Sequence, residues 1–257
     1  MCELFGLSGA EPVPVNKYLN ELVKHSTDHP NGWGIAVFSG NGVNVEKEPL
    51  PAYKSRYLKA RLGHAFMARN MMAHIRLATI GYVDYENCHP FVRSDCTGRT
   101  WTLMHNGTIF DCPLLNEYVH SQEGRTDSER ILLYLVDCID MEIKKKGGDL
   151  SGSERFSVID RVIGSISEGN KVNLLIYDGE IMYVHSNFRD SLFLKKTGNC
   201  TLIATAPPDN EEWEAVPLNR PLGYVDGERI YTGTGHGNEY IFDPEHMRLI
   251  FLDSAEL

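Results

Sequence analysis

Seven strand-like runs, at Glu3 to Ser8, Gly34 to Phe38, Met71 to Ile75, Thr100 to Met104, Val172 to Tyr177, Glu180 to His185 and Thr201 to Ala204, constrain this chain more than any other feature. They come in clusters, broken by helical runs, without the regular alternation that builds a parallel sheet. The stretch from Asn173 to Val184 reads as a hairpin closed on Asp178-Gly179, because that dipeptide supplies the positive φ a tight hairpin needs. Antiparallel sheets covered by helices, an α+β fold, follow from this pattern.

The helical runs are equally readable. Asn16 to Ser26 puts Leu19, Leu22 and Val23 on one face, and a later run does the same with Phe156, Ile159, Val162, Ile163 and Ile166. The clearest helix opens at Thr126-Asp-Ser-Glu129, which reads as a capping box, and carries Ile131, Leu132, Leu135, Cys138 and Ile139 to a basic end at Lys144 to Lys146. Lys146 to Ser153 is the nearest approach to a linker, so residues 1–257 read as a single domain.

A formal charge of -10 and a pI near 5.5, with no basic cluster beyond Lys144 to Lys146, exclude a nucleic-acid surface. No apolar run is long enough to span a membrane, and nothing before Cys2 forms a secretory signal; a cytoplasmic protein acting on a small molecule is expected. The six cysteines contain no Cys-x-x-Cys pair, which argues for reduced thiols over a disulfide scaffold or zinc ribbon.

Cys2 is the first chemical candidate. Removal of Met1 would leave a thiol and a free α-amine on one residue, and their ordinary pKa values, about 8.5 and about 7.7 to 8.0, let the amine take the thiol proton near neutrality. Taken alone, a cysteine at position 2 is merely a small residue near a terminus. Yet Leu4-Phe5-Gly6-Leu7 would draw this terminus into a core strand, whereas free termini usually fray.

Three further segments supply partners. Leu103 to Thr108 runs an apolar strand into Asn106-Gly107, first of all a turn signal, but also an amide and a backbone N–H able to stabilise an oxyanion. In Ala73 to Gly81, Arg76 stands in apolar company, either as a salt-bridged structural residue or as a planar fork for a substrate carboxylate, with Thr79 adding a hydroxyl. Asp127, which would favour the helix dipole in any case, is expected to be free for a substrate ammonium because Thr126 and Glu129 make the cap.

Together, Met1-Cys2-Glu-Leu-Phe-Gly6, His29-Pro-Asn-Gly-Trp33-Gly34, Ala73-His-Ile-Arg76-x-x-Thr79, Asn87-Cys-His89-Pro90-Phe91, His105-Asn106-Gly107 and Thr126-Asp127-Ser128-Glu129 resemble the class II glutamine amidotransferases. The closer likeness is to their stand-alone YafJ-like branch, which the segment from Ala204 to Trp213 also fits. The resemblance implies a four-layer αββα N-terminal-nucleophile (Ntn) hydrolase fold with two stacked antiparallel sheets. It implies Cys2 as nucleophile and α-amine base, Asn106 and Gly107 as oxyanion hole, Arg76 and Thr79 on the α-carboxylate and Asp127 on the α-ammonium. Leu77 and His105 are implied as further substrate contacts, with no cofactor and no metal.

The implied reaction is acyl transfer from glutamine or a γ-glutamyl amide through a γ-glutamyl thioester. Glu3 stands where the synthase-linked members carry glycine, and Pro30 to Gly34 replaces their Arg-Gly-Tyr-Asp-Ser, so the departures bear on substrate more than on the catalytic group. A separate synthase chain that takes the ammonia, a homo-oligomer, and a non-catalytic binding module remain alternatives. A metal site from Cys88, His89, Cys96 and His105 matches no common zinc spacing.

Overall fold

A computed structural model describes residues 2–40, 42–78 and 81–244. In chain order its strands are β1 (Glu3–Pro14), β2 (Trp33–Ser39), β3 (Gly42–Glu48), β4 (Met67–Ile75), β5 (Phe91–Ser94), β6 (Thr100–Thr108), β7 (Lys171–Tyr177), β8 (Met182–His185), β9 (Phe193–Thr197), β10 (Cys200–Ala204), β11 (Glu214–Ala215), β12 (Leu222–Val225) and β13 (Glu228–Thr232). The α-helices are α1 (Asn16–Lys24), α2 (Arg56–Leu62), α3 (Pro113–Asn116), α4 (Asp127–Lys146) and α5 (Gly152–Ile166). One sheet runs β11-β9-β10-β1-β4-β2-β3 and the other β13-β12-β8-β7-β6-β5, with antiparallel pairing throughout.

Side-chain alternation along these strands separates three apolar layers. Phe5, Leu7, Ile35, Met71, Ala73 and Ile75 face outward beneath Tyr18, Leu19 and Leu22 of α1 and Leu58 of α2. Trp101, Leu103, Leu174 and Ile176 face outward beneath Ile131, Leu135 and Ile139 of α4 and Phe156, Ile159 and Ile163 of α5. Leu4, Ala36, Met72, Met104, Leu175, Met182 and Ile203 fill the space between the sheets. The layers are therefore α, β, β, α, as expected.

Local details depart from the sequence reading in instructive ways. Asn106-Gly107 makes no turn; β6 continues through both residues to Thr108 because β7 pairs with them, Asn106 opposite Asn173 and Gly107 opposite Val172. The β7–β8 hairpin exists, but its loop runs from Asp178 to Ile181 and β8 starts at Met182, because the Asp178 carboxylate accepts the N–H groups of Glu180 and Ile181. The expected capping box at Thr126 is half formed: Thr126 Oγ1 accepts Glu129 N–H at 3.2 Å, while the Glu129 carboxylate binds Glu123 N–H and Gly124 N–H instead. The reciprocal box lies in the connector, where Ser151 and Glu154 cap α5.

Candidate active site

Period-two alternation determines which residues meet at one end of the space between the sheets. Continuing inward from Leu4 gives Cys2; from Met72, His74 and then Arg76; from Met104, Asn106; and from Leu175, Asn173 and Lys171. Apolar side chains thus give way to a polar group at the end where β1 begins.

Cys2 is half-buried there. Its Sγ lies 3.3 Å from Leu77 O and accepts from Leu77 N–H at 3.4 Å, so Leu77 flanks the sulfur through its backbone. Burial pushes the thiol above its ordinary value, opposed by the Leu77 N–H bond and by the positive charges of Arg76 and Lys171. The following strand is held on both sides, by β10 and by β4, and Leu4 N–H donates to Thr205 Oγ1 at 2.9 Å. That pairing is why this terminus is ordered. The Glu3 carboxylate accepts from Thr205 Oγ1 at 2.5 Å, with His29 Nε2 at 4.0 Å.

Asn106 faces Cys2 across the gap, its Nδ2 donating to Cys2 O at 2.5 Å and its Oδ1 accepting from Lys171 Nζ at 3.2 Å. Gly107 has no room for a side chain, since a Cβ would stand 1.9 Å from Lys171 O and 2.3 Å from His105 Nε2. Its glycine identity therefore comes from the close approach of β7. His105 was expected among the substrate contacts, but alternation turns it outward under α4, where Nδ1 meets Ser128 Oγ and Nε2 meets Lys171 O, both at 3.0 Å. The carbonyl can only accept, so Nε2 carries the proton; burial lowers the ring pKa and favours this neutral form. His105 supports the site from behind.

Arg76 is buried, and burial lowers its pKa. Nη1 donates to Tyr82 O at 2.9 Å and Nη2 to Gly81 O at 3.4 Å, so part of the fork braces the loop beyond β4. Asn87 braces the same loop, donating to Tyr82 O at 3.0 Å and accepting Arg125 N–H at 2.7 Å. Asn31 accepts Ala78 N–H at 3.0 Å, which gives the Pro30-Asn31-Gly32-Trp33 segment a wall-building role. Thr79 lies outside the described residues. Asp127 is buried and, contrary to expectation, already employed: Oδ2 accepts Ile109 N–H and Oδ1 accepts Ser128 N–H, both at 2.8 Å.

Lys171 was missed in the sequence. The available signal was Lys171-Val-Asn173, two polar residues two apart in an otherwise apolar strand, which puts both on one face. Behind the site, His74 and His89 stack with ring centroids 4.1 Å apart, and neither ring nitrogen of His89 has a hydrogen-bond partner among the described residues. Burial drives His74 down to about 3 and His89 well below its ordinary value. Among the described residues no group of three or more His, Cys, Asp or Glu is placed to hold a metal ion.

The two stacked antiparallel sheets with flanking helices, and a cysteine where the first strand enters them, define the Ntn amidotransferase class of fold. The family profile described as glutamine amidotransferases class-II matches residues 1–198, and the chain belongs to that family. A Haemophilus influenzae protein provisionally named a glutamine amidotransferase is 27% identical over 95% of this chain and 90% of its own length. YafJ of Escherichia coli, also provisionally named so, is 29% identical over 72% of each chain. The glutamine phosphoribosylpyrophosphate amidotransferase structure from B. subtilis superposes with a TM-score of 0.67 at 18% identity; it covers 93% of this chain, which spans 50% of that one, and shows likeness of fold. No helix among the described residues is long and apolar enough to cross a membrane.

Proposed function

We propose that this chain is a cysteine-nucleophile amidohydrolase that cleaves the γ-amide of glutamine or of a γ-glutamyl amide. The observation that carries this reading is the meeting of Cys2 with Asn106, whose Nδ2 reaches Cys2 O at 2.5 Å across the two sheets. Once Met1 is removed, the α-amine takes the Cys2 thiol proton and the thiolate attacks the γ-carbonyl. Asn106 Nδ2 and Gly107 N–H receive the oxyanion, and such donors are worth about 10²–10³ in kcat each. The protonated amine passes its proton to the departing nitrogen, leaving a γ-glutamyl thioester. Water, deprotonated by the same amine, then releases glutamate and restores the thiol.

Arg76 and Thr79 take the α-carboxylate and Asp127 the α-ammonium. A carboxylate has about four lone-pair sites, so the backbone bonds to Asp127 leave capacity for a charged donor while holding it in place. Its pre-set orientation favours the role. The resemblance also supports a second reading, in which the ammonia passes to a separate synthase chain.

Glutamate release from glutamine, glutathione and simple γ-glutamyl amides, compared by kcat/KM, tests the assignment and ranks the substrates. Cys2→Ala should abolish release from every one of them, and unchanged release would sink the assignment. Intact mass should show a chain lacking Met1.

A further inference from the structure

Lys171 opens β7 and is paired there with Thr108 of β6. Its residue is buried, its carbonyl accepts from His105 Nε2, and its ammonium lies 4.8 Å from the Phe188 ring centroid. The Nζ–Oδ1 contact to Asn106, 3.2 Å long, has a directional consequence. An ammonium has only donors, so the Asn106 atom it meets must be the oxygen, and Nδ2 must point the other way. That way is toward Cys2, whose carbonyl receives it.

In the resting site two contacts hold this orientation, the Lys171 ammonium and the Cys2 carbonyl. During attack, an N–H of Nδ2, which carries two donors, must be directed at the developing oxyanion. The Lys171 contact to Oδ1 keeps the amide from turning as this happens. We propose that Lys171 is a positioning residue of the reaction: its ammonium fixes the Asn106 amide with Nδ2 toward the reacting carbon and keeps a positive charge beside the Cys2 thiol. This role rests on the amidohydrolase reading above.

The charged and titratable neighbours suit the role. From β1 come the Cys2 thiol and the Glu3 carboxylate, which favour the charged ammonium; from β6 comes His105, held neutral by burial. Burial works against the ammonium and brings Lys171 down to about 8. Activity should therefore fall on the alkaline side as this proton leaves.

The test compares Lys171→Met and Lys171→Arg in the full, Met1-processed chain. Lys171→Met should lower kcat about 10²-fold, as for a misaligned oxyanion donor, with KM changed less than about threefold. Lys171→Arg, which stays charged, should retain more activity and move the alkaline limb upward. In an Asn106→Ala background, Lys171→Met should cost markedly less than in the wild type, since the amide it orients is already gone and only its charge beside the thiol is lost.

A second readout does not need turnover. The rate of Cys2 alkylation by iodoacetamide, followed on the Cys2 peptide because Cys96 is also exposed, should inflect at higher pH in Lys171→Met than in the wild type. Unchanged kcat and an unchanged alkylation profile in Lys171→Met would overturn the proposal, as would full additivity with Asn106→Ala. Should Lys171→Met fail to fold, an unmoved alkaline limb in Lys171→Arg would overturn it. A wild-type chain that releases no glutamate yet shows the Lys171-dependent alkylation shift would instead count against the amidohydrolase reading.

Discussion

Acidification should destabilise this protein through its buried histidines, and His74 gives the most direct test. In the folded chain His74 is buried between the sheets against His89. Burial, reinforced by the nearby Arg76 charge, takes it from an ordinary 6.5 to about 3. The unfolded chain therefore binds a proton that the folded chain refuses throughout that window. Stability contributed by neutral His74 is full above about pH 6.5 and is lost progressively as pH falls towards 3. At about pH 4 the loss amounts to about 3 kcal/mol, from 1.36 kcal/mol per pH unit below 6.5. That is a large share of a typical total of about 5–15 kcal/mol.

His74→Leu isolates this contribution. At about pH 7 the substitution should change stability by about 1 kcal/mol or less, because it exchanges a buried neutral ring for an apolar side chain of similar size. Urea unfolding at about pH 7 and at about pH 4 gives the stability of each form by linear extrapolation. The many carboxylates that titrate in this range do so in both proteins and cancel in the difference. His89 is not relieved by the substitution either, since folded His74 is uncharged at about pH 4 and exerts no repulsion. The variant should gain about 3 kcal/mol on the wild type between the two pH values. Parallel stability curves would refute the argument, showing that His74 takes up its proton in the folded state without penalty.

Other substitutions probe the site and its frame. Asn106→Ala should lower kcat about 10²–10³-fold in the glutamate-release assay while the far-ultraviolet dichroism stays native. Gly107→Ala should destabilise by about 3 kcal/mol or more, because its Cβ would stand 1.9 Å from Lys171 O; thermal unfolding reads the loss. Arg155→Ala strips Asp178, fully buried at 0% exposure, of the guanidinium whose Nε lies 2.7 Å away, and urea unfolding should register a loss of about 3–5 kcal/mol.

The elements with a strong local period were legible in the sequence, as were the residues whose neighbours in the chain announce them. The α4 pattern and the β7–β8 hairpin belong to the first group, Cys2 and Asn106-Gly107 to the second. What local pattern misjudged was decided by partners distant in sequence. Asn-Gly reads as a turn because both residues favour positive φ, yet β7 recruits them into a ladder, sixty-odd positions away in the chain. Thr126 and Glu129 satisfy a capping template, but the loop at 123–124 offers the Glu129 carboxylate two N–H groups, and it takes those. Short edge strands such as β11 and β13 exist only because a partner strand is already in place.

The direction of His105 and the placement of Lys171 share one origin in the parity of two paired strands. Asn106 faces the opposite sheet, so its neighbour His105 must face the helices, however suggestive the His105-Asn106-Gly107 motif is of three residues acting together. The same register puts Asn173 opposite Asn106 and, two residues earlier, Lys171 on the Asn106 side. Which side chains meet inside such a sandwich is thus set by alternate positions on neighbouring strands. The nucleophile proposed above fits this geometry, because the same alternation that turns Leu4 inward brings Cys2 to the inner face at the end where Asn106 lies.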